Sequence, residues 1–91
     1  MDRFSLEILE RTLELAVEAM PPEENPRVIA CVNTIRDYIE SPNPIFDKTV
    51  SAALIELSEI ARLNSYFMIA ARLAPIAQQL SEGSGLASRA G

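Results

Sequence analysis

Apolar residues recur at three- and four-residue steps along most of the chain, a period that predicts helices and no strands. Leu6, Leu9, Leu13, Ala16, Val17 and Met20 form one such stripe, placing a first helix over about residues 3–20 with Glu7, Glu10, Glu14 and Glu18 along the opposite side. Pro21-Pro22 ends it, because neither proline can donate to a preceding turn. A second helix over about 26–40 buries Val28, Cys31, Val32, Ile35 and Ile39 by the same spacing. A third, ending at about Leu63, turns Phe46, Val50, Ala53, Leu54, Leu57, Ile60 and Ala61 to one face. The fourth runs from Tyr66 to Leu80 with Arg72 as its one charged residue and is apolar on nearly every side. It has a small edge (Ala70, Ala71, Ala74, Ala77) and a large one (Leu73, Ile76, Leu80), and two apolar edges predict two packing partners.

Asparagine and proline punctuate the pattern. Asn25-Pro26 and Asn43-Pro44 each set a capping side chain before a proline at the first helical position, where the missing N–H costs nothing. Asn43 and Asp47 both qualify as the cap of the third helix, and Asn64-Ser65 reads as one more start. Connections this short make neighbouring helices antiparallel. The expected fold is all-α: a four-helix up-and-down bundle, or a HEAT-like array of helix pairs, in a single domain over 1–81. Glu82-Gly83-Ser84-Gly85 and the residues after it offer nothing to bury, so 82–91 is expected to be a flexible tail. The starts Asn25-Pro26-Arg27-Val28 and Asn43-Pro44-Ile45-Phe46 resemble those of short helical-repeat proteins of the HEAT type over residues 25–80. That resemblance implies a fold and no activity.

Charge is unevenly placed. Residues 1–24 hold seven acids against Arg3 and Arg11, which accounts for the whole net charge of -5. Such an acidic helix repels phosphate and favours basic protein surfaces, so no nucleic-acid partner is expected. Asn64, Arg72 and Pro75 interrupt the last apolar stretch, leaving it shorter than the ~20 residues of a membrane span. Cys31 is the one cysteine, and no basic-then-apolar leader is visible at the start. Both features point to a reducing, cytoplasmic setting.

The chain has no histidine, hence neither the usual general base at neutral pH nor the commonest zinc ligand. Its three glycines, Gly83, Gly85 and Gly91, form no phosphate-cradling loop ahead of a helix. No catalytic residue, metal or cofactor is therefore expected. The expected function is that of a non-enzymatic protein-protein interaction module, an adaptor, regulator or assembly factor. It self-associates, a dimer being favoured, or binds a protein through Tyr66, Phe67, Met68, Ala70, Ala71, Arg72, Ala74 and Ala77. Arg72 either reaches water or meets an acid, on the first helix or on a second copy. The alternative is a small immunity or anti-activator protein that neutralises a toxin or regulator through Glu7, Glu10, Glu14 and Glu18. The four-helix layout is similar to that of some bacteriocin immunity proteins.

Overall fold

The computed structural model describes the backbone of residues 3–90 and the side chains of residues 3–81, so the flexible tail expected over 82–91 lies outside the residues described in full. Among the described residues four helices make up the fold: α1 (Arg3–Ala19), α2 (Pro26–Glu40), α3 (Asp47–Leu63) and α4 (Phe67–Ala90). Short 3-10 turns, Pro22–Glu24 and Pro44–Phe46, lead into α2 and α3. Each helix runs antiparallel to the next, and α4 returns to pack on α1, which closes a helical bundle in place of an open array.

The helix starts follow from the Asn-Pro pairs. Asn25 Oδ1 accepts the Arg27 N–H at 3.0 Å with Pro26 in the first position of α2. Asn43 Oδ1 likewise accepts the Ile45 N–H at 3.1 Å, but the turn it opens is the 3-10 segment that runs straight into α3. Asp47 does not cap. Its carboxylate accepts the Tyr38 hydroxyl at 3.0 Å and so ties the end of α2 to the start of α3.

Asn64-Ser65 proves to be a helix end and not a start. The Tyr66 N–H reaches back to the Ala61 carbonyl at 2.8 Å and the Ser65 N–H to that of Arg62 at 3.1 Å, the paired closure of a Schellman motif. The Asn64 amide also donates to the Ile60 carbonyl at 2.8 Å. Ser65 takes the left-handed conformation that this closure requires, with φ of 67°. Asparagine favours both helix ends, so the dipeptide alone does not give the direction. The tight turn folds α4 back along α3, where the Ser51 hydroxyl donates to the Ala77 carbonyl at 2.9 Å in the core.

The core takes the predicted stripes with small shifts. Leu9, Leu13, Ala16 and Met20 of α1 and its C-terminal turn meet Val28, Cys31, Val32 and Ile35 of α2 in one cluster. Val50, Leu54, Leu57 and Ile60 of α3 join them, as do Ile69, Leu73, Ile76 and Leu80 of α4. Thr12 is buried as well and returns its hydroxyl to the Ile8 carbonyl at 2.8 Å. On α2 it is Tyr38, not Ile39, that is buried, and its hydroxyl has Asp47 to reach. Phe46, expected inside, is half exposed at the 3-10 corner. Pro75 lies within α4 without ending it. Its missing N–H frees the Ala71 carbonyl on the exposed side of the helix, which is open to solvent.

Ser65 stands in a region that penalises a Cβ by about 1 kcal/mol and that glycine occupies freely. Ser65→Gly is therefore expected to raise the unfolding free energy by roughly 0.5–1 kcal/mol, seen as a higher urea midpoint with an unchanged slope. A lower midpoint would contradict the left-handed closure.

Candidate protein-interaction face

Helix α4 has two sides with different fates. Leu73, Ile76, Ala77 and Leu80 are buried, and Ala70 packs half-buried against the same core. Phe67 and Met68 point outward at 63% and 70% exposure, and Ala71, Arg72, Ala74 and Pro75 share that outer side. The eight residues singled out along this helix are thus divided. Ala77 and Ala70 face inward, and Phe67, Met68, Ala71, Arg72 and Ala74 face outward. Tyr66 precedes the helix and lines a cavity with Met20, Val28 and Ile60 at the α1–α2 end.

A neighbouring exposed row lies on α1. Phe4, Ile8 and Leu15 stand outside the core at 70%, 40% and 41% exposure, with Arg11 between them at helical spacing. Sequence reasoning missed this row because the glutamates interleaved with it read as one solvated face. The signal was present, since positions 4, 8, 11 and 15 form a stripe beside the buried one. The two rows meet across a groove lined by Arg11, Glu14, Leu15 and Glu18 of α1 and by Arg72 of α4. Arg72 thus stands beside acids of the first helix. Among the described residues the ion pairs are Arg27–Glu56 at 3.1 Å and Arg62–Glu59 at 3.9 Å, and Arg72 enters neither.

Glu7, Glu10, Glu14 and Glu18 are all exposed, as their spacing predicts. Glu10 and Glu14 also line the α1–α2 groove with Arg36 and Glu40.

One polar cluster joins α2 to α3. The Cys31 thiol donates to Glu56 Oε2 at 3.3 Å, while Arg27 donates through Nε and Nη2 to Glu56 Oε1 at 3.2 and 3.1 Å. Burial, followed by the hydrogen bond and charge of Glu56, pushes the thiol up to about 12 against the weaker pull of Arg27. The hydrogen bonds from Cys31 and Arg27 hold Glu56 below its ordinary value, opposite to the direction a general acid needs. A protonated, enclosed thiol is a poor nucleophile and a poor metal ligand. Tyr38 is similarly pushed up to about 12, by burial first and then by its hydrogen bond to Asp47. It borders a cleft of about 430 Å³ with Thr34, Asp37, Asn43 and Phe46 at the α2–α3 corner. Among the described residues no three potential metal-binding side chains converge, and no helix is long and apolar enough to cross a membrane.

Comparison with protein-family models, curated proteins and solved structures finds no match to this chain.

The raised thiol gives a directed expectation. Below its ordinary value of 9.0 the proton is held in both folded and unfolded chains; between there and about 12 only the folded chain keeps it, so stability is lost as pH rises. Glu56 acts in the opposite sense, its contribution present above its ordinary 4.5 and lost in acid. Urea midpoints measured against pH are expected to fall on both limbs, and Cys31→Ala to flatten the alkaline limb relative to wild type. Identical alkaline limbs would contradict the buried thiol.

Proposed function

We propose that this chain is a non-enzymatic protein-protein interaction module that presents the outer side of α4, with the adjoining row of α1, to a protein partner. The observation that carries the reading is that Phe67, Met68 and Phe4 remain largely exposed on a bundle whose core closes without them. Aromatic residues and methionine are enriched where proteins meet, and Phe67 and Met68 stand at one end of this face with Phe4 toward the other. The absence of histidine and the depressed carboxylate of Glu56 favour binding over catalysis. The lone cysteine fits a reducing, cytoplasmic setting.

A second reading takes the exposed acids Glu7, Glu10, Glu14 and Glu18 as the contact, with the chain neutralising a basic toxin or regulator. Salt separates the two. Binding through the α4 face, where charges of both signs stand beside apolar side chains, is expected to weaken only modestly as salt rises, whereas binding of the four acids to a basic partner is expected to weaken steeply.

A photo-crosslinking amino acid placed at Ala71 in the living cell is expected to give a discrete protein adduct, and the same group at Lys48 none. Both positions are exposed, so neither substitution disturbs the core. Absence of an adduct at Ala71 would remove the reading.

A further inference from the structure

We propose that the partner on the α1–α4 face is a second copy of this chain, related by a two-fold axis along the helices so that α1 of each copy lies against α4 of the other. The proposal rests on the reading of that face as an interaction surface and adds its occupant and register. Met20 and Tyr66 share a cavity at one end of the bundle, while Leu15, Glu18 and Arg72 share a groove further along. Helix α1 therefore descends as α4 ascends, and Arg72 stands level with Glu14 and Glu18.

A two-fold axis parallel to the helices keeps every residue at its own level and exchanges α1 with α4. It sets Arg72 of each copy opposite Glu14 and Glu18 of the other. Leu15 comes to the level of Arg72, while Met68, one turn before Arg72, lies nearer the level of Glu18 and Met20, so both add apolar surface beside the charges. The charges then pair twice, once on each side of the axis, as an isologous interface demands.

The competing two-fold axis, across the helices, lays α1 on α1 and α4 on α4. It brings the acidic stripe of Glu7, Glu10, Glu14 and Glu18 toward its own copy and Arg72 toward Arg72, and like charges so placed oppose association. A foreign partner is also less well matched. The groove carries both signs, Arg11 and Arg72 beside Glu14 and Glu18, so it complements itself where a one-signed face would call for an opposite one. Phe4, Ile8, Leu15, Phe67 and Met68 together expose on the order of 500 Å² of side chain, more than half of the roughly 800 Å² per partner in a standard interface.

Sedimentation equilibrium on charge-reversed chains tests this. Wild type is expected to be a dimer at a few hundred micromolar. Arg72→Glu alone and Glu14→Arg with Glu18→Arg are each expected to weaken it by roughly tenfold or more. These positions are exposed, so both variants keep the helical circular dichroism of wild type. Mixed in equal amounts, the two variants are expected to form a heterodimer. On one side of the axis the introduced glutamate of the first variant then faces the introduced arginines of the second, and on the other side Arg72 meets native acids. Wild type that stays monomeric, variants that stay dimeric, or a mixture that stays monomeric would each overturn the proposal. If a crosslink at Ala71 then captures a different protein, the reading as an interaction module stands without the dimer. If it captures nothing, both fall.

Discussion

A helix in a four-helix bundle can bury only the side that faces the centre, and the fourth helix of this chain is apolar on more than one side. Its inner row, Leu73, Ile76, Ala77 and Leu80, joins the single core cluster that the other three helices supply. Once that row is placed, the rest of the helix has nowhere to go but outward. The exposure of Phe67, Met68 and Ala71 is thus a geometric consequence of closing the bundle with so few residues. Small domains bury a smaller fraction of their surface than large ones, which makes a second molecule the natural cover for such a side.

Polar groups fix which helix lies against which. The Ser51 hydroxyl on the Ala77 carbonyl sets α3 against α4, and Tyr38 on Asp47 together with Cys31 and Arg27 on Glu56 sets α2 against α3 at two heights. The buried Ser51 bond contributes only about 1 kcal/mol net, yet leaving its hydroxyl unmet would cost more than that. Among the described residues every buried side-chain nitrogen and oxygen has a partner. Apolar packing supplies the driving force here, and these bonds select one arrangement from the several that packing allows.

Much of this fold was legible in the sequence because helical spacing and Asn-Pro starts are local signals. The stripe of Leu9, Leu13 and Ala16 and the cap at Asn25 follow from side-chain spacing and from an oxygen two residues ahead of a free N–H. What was not legible depends on partners distant in sequence. Tyr38 is buried where Ile39 is only partly so because Asp47 waits across the corner, and Asn64 ends a helix because Ser65 accepts a conformation usually left to glycine. The candidate face was half visible. The outward run of Phe67, Met68 and Ala71 was named, whereas Ala70 and Ala77 turned inward and Phe4, Ile8 and Leu15 were hidden among glutamates. Which side of an all-apolar helix faces in is a question that only the packed bundle answers.

The central claim is that the inner row of α4 holds the fold and the outer row does not take part in it. Urea unfolding of Leu73→Ala and Phe67→Ala, at dilutions where the chain sediments as a monomer, tests it directly. Leu73 is fully buried, so its truncation is expected to cost about 2–5 kcal/mol, while that of the largely exposed Phe67 changes stability by roughly 0.5 kcal/mol or less. Equal losses from the two would show that the outer row belongs to the core of a single chain and would contradict the account.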